Sequence, residues 1–292
     1  MTAPLSPLPI RAAIREASDR LQAAGKPNAQ SEAREIVGRV LGLTREEMVG
    51  RGADGVAAEN LGEINAVLER RLAGEPLDNI IGEREFFGRM FRVTPDVLSP
   101  RDDTEVLVRR ALELMGAMEA PRLLDLGTGS GAIAVTLLAE CPDASAMGVD
   151  ISSYALLVAE ENAGRHGVAE RLDLVEGSWF DDVEGRFDLI VSNPPYITDA
   201  AMRELATEVR DYDPALALAG GPDGLDAYRV IVGEGMAHLQ PGAPMLLEIG
   251  YDLGEAVAGL LETAGFERVA VSPDLSGHDR LVEGFAPAPT LR

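Results

Sequence analysis

Two adjacent prolines, Pro194 and Pro195, sit just beyond the apolar run 187–191. Proline has no backbone N–H to give and fixes φ near −65°, so neither a central strand nor a helix can continue through the pair. The run is therefore expected to end as a strand and break into a rigid turn, Asn193-Pro194-Pro195-Tyr196. In an open α/β sheet, ligands bind beyond the carboxyl ends of the strands. A side-chain amide, a carbonyl outside regular structure and an aromatic ring are thus expected together where a site would lie. The Asn193 oxygen and the Pro194 carbonyl can accept both N–H bonds of a planar NH2 group, while Tyr196 packs on its face. A purely structural turn fits the same four residues, since Asn-Pro commonly starts one.

A second signal lies upstream. The stretch 121–126 reads as a short buried strand, followed by Gly127-Thr128-Gly129-Ser130-Gly131 and then by Ala132, Ile133, Val135, Leu137 and Leu138, which suit a buried helix. Glycines let the backbone turn sharply and approach a ligand closely. The next expected strand ends in Asp150, an acidic residue placed for ribose hydroxyls as in dinucleotide-binding folds. The third glycine, however, falls one position short of the dinucleotide fingerprint. A cofactor without a pyrophosphate fits better, with Asp125 either fixing the loop or meeting the cofactor.

The remaining chain sets these motifs in an α/β architecture. Apolar residues at helical spacing (Ile10, Ala13, Ile14, Ala17, Leu21; Ala33, Ile36, Val37, Val40, Leu41; Leu61, Ile64, Leu68, Leu72) predict a small helical domain over residues 1–75. A glycine-punctuated segment with Phe86, Phe87 and Phe91 predicts a hairpin linker over 76–101. Asp102 and Glu105 read as a capping box opening a helix. Strands and helices then alternate, with strands expected at 122–125, 146–149, 172–175, 189–192, 245–248, 268–271 and 280–283. That pattern predicts a mostly parallel sheet covered on both faces, over 102–292. The proline-rich segment 286–289 reads as the start of a disordered tail.

Composition narrows the function classes. The chain carries 26 Lys and Arg against 49 Asp and Glu, a formal charge of −23. A protein that grips duplex DNA relies on clustered cations, so DNA as substrate is disfavoured and no direct nucleic-acid binding is expected. No apolar run reaches the roughly 20 residues needed to span a bilayer, and no signal peptide is evident, so a cytoplasmic protein is expected. The single cysteine, Cys141, rules out an internal disulfide, and three scattered histidines make no metal site.

Asp125-Leu126-Gly127-Thr128-Gly129-Ser130-Gly131 resembles the first motif of class I methyltransferases, and Asn193-Pro194-Pro195-Tyr196 the fourth motif of their amino-methylating branch. Segments 82–88, 99–105, 209–218, 220–225 and 247–251 are similar, in the same order, to the HemK/PrmC family of release-factor glutamine methyltransferases. The resemblance runs from about Ser31 to about Gly284. It implies a seven-stranded, Rossmann-like class I methyltransferase sheet whose last strand is antiparallel, with a small N-terminal helical domain that docks the substrate. It further implies S-adenosyl-L-methionine as cofactor, lying over Gly127, Thr128, Gly129, Ser130 and Gly131, with Asp125, Asp150, Trp179 and Asn193 around it. The implied substrate is the glutamine of the Gly-Gly-Gln loop in bacterial class I peptide chain release factors, held by Asn193, Pro194, Pro195 and Tyr196, with the enzyme expected to be monomeric. Ser178 stands where that family commonly carries an acidic residue for the adenine amino group, so adenine recognition is expected to be weaker or rerouted. A ribosomal-protein glutamine methyltransferase, a DNA adenine N6-methyltransferase and a non-catalytic binding protein of the same fold are the alternatives.

Overall fold

The computed structural model describes residues 7–288 and divides the chain into two compact units between Ile81 and Gly82. The first is helical: α1 (Ile10–Ala23), α2 (Ala29–Leu41), α3 (Arg45–Gly50), α4 (Ala58–Leu72) and α5 (Leu77–Ile81). The expected stripes form its core, with Ala13, Ala17, Leu21, Ala33, Ile36, Val37, Ile64 and Leu68 buried together. The short α3 starts at a reciprocal capping box in which Glu47 N–H donates to the Thr44 hydroxyl and Thr44 N–H to the Glu47 carboxylate. Across the core, Arg71 makes a two-point ion pair with Glu32 at 2.7 and 3.0 Å, both side chains largely buried.

The second unit opens with the antiparallel hairpin β1 (Glu83–Phe86) and β2 (Arg89–Arg92), which is built into it rather than hanging from it. Phe86 and Phe91 enter its core. The fully buried Asn162 accepts from Arg92 N–H, donates to Arg92 O and also donates to Ser130 O, tying the hairpin to the glycine loop. The expected capping box at Asp102 does not form. Asp102 pairs instead with Arg84 of the hairpin at 2.6 Å, and Glu105 accepts from Phe87 N–H and pairs with Arg109. Partners distant in sequence outcompete the local cap, so residues Asp102–Thr104 make a 3-10 turn and α6 (Glu105–Met115) begins without a side-chain cap.

Alternation then proceeds as β3 (Arg122–Leu126), α7 (Ala132–Glu140), β4 (Ser145–Asp150), α8 (Ser153–Arg165), β5 (Leu172–Glu176), β6 (Leu189–Ser192), the short α9 (Asp199–Met202) and α10 (Thr207–Arg210), α11 (Asp226–Gly235), β7 (Pro244–Glu248), α12 (Gly254–Thr263), β8 (Glu267–Pro273) and β9 (Asp279–Phe285). The sheet has seven strands in the order β5-β4-β3-β6-β7-β9-β8. Its first five are parallel, and the last strand, β9, runs antiparallel to both neighbours, as the resemblance implied. Alternating side chains serve two layers: Leu123 packs with α6, α7 and Ala163 of α8, whereas Leu124 and Leu126 pack with α11 and α12. Strand order reverses at β3, with β4 on one side and β6 on the other, which opens a crevice at their carboxyl ends. Ala286 departs from the expected disorder: it is buried and pairs both ways with the turn before β7, Ala286 N–H to Ala243 O and Gly242 N–H to Ala286 O. The rest of that tail, from Pro289, lies outside the described residues.

Candidate active site

The crevice holds a cavity of about 280 Å³, lined from the glycine loop by Gly127, Thr128, Gly129 and Ser130, from β4 by Asp150, and also by Ser178, Trp179, Asn193 and Pro195. The glycine-loop half and the proline-turn half of the predicted site therefore meet in one space. Gly131, Asp125, Pro194 and Tyr196 do not line it.

The loop glycines serve different ends. All three have positive φ, at 70°, 56° and 76° for Gly127, Gly129 and Gly131. A Cβ on Gly127 would meet only the Trp179 ring, at 3.7 Å, so the missing methyl leaves the gap between loop and tryptophan. A Cβ on Gly131 would press on Ala159 at 3.2 Å and Val135 at 3.3 Å, so this glycine lets α7 and α8 close together. Asp150 fixes the loop by accepting Gly129 N–H at 2.8 Å and Ser152 N–H at 2.9 Å. Each carboxylate oxygen keeps a lone pair, enough for a ligand hydroxyl.

Asp125 is enclosed beneath the loop. It accepts from the Thr128 hydroxyl at 2.8 Å and from Ala134 N–H at 3.3 Å, while its other oxygen is buried without a partner. Burial drives its carboxyl up to about 7 against those two hydrogen bonds. Of its two sequence readings, the contacts in the structure are those of a loop anchor.

The proline turn is boxed in by glycines. A Cβ on Gly220 would fall 2.6 Å from the Tyr196 Cα, one on Gly224 2.5 Å from the Tyr196 carbonyl oxygen, and one on Gly250 3.2 Å from the Tyr196 ring. Backbone bonds from Ile197 N–H to Leu218 O and from Gly220 N–H to Ile197 O clamp the same segment. The motifs at 220–225 and 247–251 thus act as the walls of the turn. Burial raises the Tyr196 phenol further, keeping it neutral and apolar-faced. Pro100, Arg101, Pro214, Leu216 and Ala217 also line the cavity, and Arg101 fastens the two segments by pairing with buried Asp213 at 2.9 Å.

One participant had no role assigned from sequence. Glu248 ends β7 with only 2% exposure. Burial lifts its carboxyl to about 7, opposed by the nearby Thr104 hydroxyl and the field of Arg280, and its Oε2 is buried without a hydrogen-bond partner. An isolated acidic residue inside an apolar strand end was the available signal.

The site accommodates S-adenosyl-L-methionine by its own features: a space left by absent Cβ atoms, an acidic strand end with spare acceptors and a flat indole opposite the loop. Residues 102–210 match the Methyltransferase small domain, and residues 12–82 match the PrmC N-terminal domain. A ribosomal protein L11 methylase from Lactobacillus delbrueckii subsp. bulgaricus shares the fold at a TM-score of 0.50 and 20% identity, over 70% of this chain and 90% of that one. The release factor glutamine methyltransferase of Cereibacter sphaeroides is 49% identical over 94% of this chain and 98% of its own length. That of Caulobacter vibrioides is 43% identical over 92% and 93%. With likeness of this depth running through both units, the chain belongs to the family of release factor glutamine methyltransferases.

Proposed function

We propose that this protein transfers a methyl group from S-adenosyl-L-methionine to the side-chain amide nitrogen of the Gly-Gly-Gln glutamine of class I release factors. The observation that carries the reading is Asn193 in the same cavity as Gly127 and Gly129. Asn193 follows β6, the direct parallel neighbour of the strand that leads into the loop. When bound, the cofactor supplies an electrophilic methyl on its sulfonium. Gly127 to Ser130 give it backbone room, Asp150 accepts from its ribose hydroxyls, and Trp179 packs against it. Ser178, which lines the cavity, can accept one hydrogen bond where the family commonly places a carboxylate.

An amide nitrogen is a poor nucleophile because its lone pair is shared with the carbonyl, so orientation is the main task. Holding reacting atoms in line contributes about 7–11 kcal/mol in well-oriented systems. The Asn193 oxygen and the Pro194 carbonyl accept the two N–H bonds, aim the nitrogen and stabilise the positive charge growing on it. The methylated nitrogen then releases a proton readily, so no strong base is needed. All residues in these roles come from 127–194 of a single chain, so a monomer would carry a complete site. The charge of −23 supports a protein rather than a nucleic-acid substrate, and no helix among the described residues is long and apolar enough to cross a membrane. The N-terminal unit is assigned to docking of the release factor, as the family resemblance implies.

The test incubates the protein and S-adenosyl-L-methionine with an unmethylated release factor and reads the Gly-Gly-Gln peptide by fragmentation mass spectrometry. One added methyl on that glutamine is expected. With Asn193→Ala the rate should fall at least about a hundredfold (about 2.7 kcal/mol) while cofactor binding holds; full activity in that variant would remove Asn193 from the mechanism.

A further inference from the structure

The formal charge of −23 is unevenly spread. Residues 1–81 hold ten Lys and Arg against twelve Asp and Glu, so nearly all of the acidic excess lies beyond Ile81. Within the helical unit, α1, α2 and α3 line a groove of about 1140 Å³. Arg11 and Arg15 of α1, Lys26 just after it, Arg34 of α2 and Arg45 of α3 face this groove, and among the described residues Asp19 is the one carboxylate that lines it. Lys26 is the only lysine of the chain. Ile14, Met48 and Val49 add an apolar part, with Val49 81% exposed.

We propose that this groove docks an acidic segment of the release factor. In a chain so rich in carboxylates most arginines find a partner, as Arg92 does in Glu161 and Arg110 in Glu283. Among the described residues, five arginines make no ion pair, side-chain hydrogen bond or ring contact, and four of them, Arg11, Arg15, Arg34 and Arg45, line this one groove; Arg203 is the fifth. Helix chemistry does not account for the placement. Arg11 lies in the first turn of α1, which has no acidic residue, and Arg45 opens α3, positions where the free N–H groups disfavour a cation. Arg11 and Arg15, four residues apart, are also like-charged neighbours on one helix face. Cations that neither pair nor cap are uncompensated in the free protein and gain from a partner that brings carboxylates.

The mixture of contacts favours a peptide over a nucleic acid. Guanidinium groups take carboxylates two-pronged, and the exposed Val49 beside Met48 offers a seat for an apolar side chain, which a phosphate backbone lacks. Arg11, Arg15 and Arg45 are exposed, so they reach a partner without any element opening. Charges at such a surface act mainly on encounter and selection of the partner, which places their effect on capture of the factor and not on the methyl transfer that follows.

This inference rests on the methyltransferase reading, so binding and transfer are measured separately. The full chain with Arg11→Glu, Arg15→Glu and Arg45→Glu combined is compared with wild type, using anisotropy of a fluorescein-labelled, unmethylated release factor. Affinity for the factor is expected to fall about tenfold or more and KM to rise with it, while kcat at saturating factor and S-adenosyl-L-methionine affinity, followed by Trp179 fluorescence, stay within about twofold. Raising salt from about 50 to about 300 mM should weaken wild-type binding severalfold and the variant's far less. If the glutamate variant melts early, the same three positions changed to glutamine are read the same way, with an expected loss of about threefold or more. Unchanged affinity, wild-type binding indifferent to salt, or a loss confined to kcat would each overturn the proposal. So would a labelled single-stranded RNA that binds wild type more tightly than the factor does and is released by the same substitutions. A wild-type protein that binds the factor as described but transfers no methyl group would count against the methyltransferase reading alone.

Discussion

Gly127 and Gly131 stand four residues apart in one loop, yet alanine should affect them in opposite ways. Both have positive φ, so an L side chain costs about 1–2 kcal/mol at either position. A less flexible unfolded chain returns about 0.4–1 kcal/mol in each case. At Gly131 the new methyl also meets Ala159 at 3.2 and 3.3 Å, two atoms of a packed helix. Overpacking of that kind adds about 1–3 kcal/mol. The net is a loss of about 3 kcal/mol for Gly131→Ala against about 1 kcal/mol for Gly127→Ala. Binding should rank them the other way, because the Gly127 methyl projects into the gap before Trp179. We expect Gly127→Ala to weaken S-adenosyl-L-methionine by at least about tenfold and Gly131→Ala to leave it nearly unchanged. Urea unfolding measures the first quantity, and titration of Trp179 fluorescence, the sole tryptophan, the second. Equal losses of stability, or a cofactor defect confined to Gly131→Ala, would refute the division of labour drawn from the contacts.

Two other perturbations test the buried charges. Asp125 rises from 3.8 to about 7 on folding, so its contribution is intact below about pH 3.8 and is lost as pH climbs to 7, where the unfolded chain ionises freely and the native one does not. Asp125→Asn should therefore gain stability relative to wild type between pH 4 and 7, by up to about 4 kcal/mol; a pH-independent difference in urea unfolding would contradict the raised carboxyl. Glu32→Ala should destabilise the N-terminal unit by about 3–5 kcal/mol, since it strips the paired carboxylate from buried Arg71. Hydrogen exchange should show faster opening of α2 and α4, and unchanged protection there would mean the pair contributes little.

The central strands were legible because their residues are buried on both faces and read as plain apolar runs; the runs at 189–192 and 245–248 needed no knowledge of their neighbours. The proline turn and glycine loop were legible for a different reason, as both depend on residues with restricted or unusual backbone freedom. What escaped was decided by partners far along the chain. The Asp102 carboxylate looked like a cap until Arg84, eighteen residues earlier, took it. Glu248 belonged to a visible motif, but the burial that raises its carboxyl is created only when β6, β7 and the turn before α6 come together. Gly131 shares the spacing and backbone of a ligand-facing glycine, and only the position of Ala159 separates its work from that of Gly127.

The pairing of β3 with β6 puts Leu126 opposite Ser192, and the Ser192 hydroxyl locks that register by donating to the Leu126 carbonyl at 2.6 Å. Each strand ends one residue before its half of the chemistry begins, at Gly127 and Asn193. Donor seat and acceptor seat are thereby spaced by the interval between neighbouring strands, about 4.8 Å. Peptide geometry, not side-chain reach, acts as the ruler. Evolution can replace the loops around the cavity or the N-terminal helices without recalibrating that interval, whereas a slip of one residue in either strand would turn that strand's seat to the wrong face of the sheet.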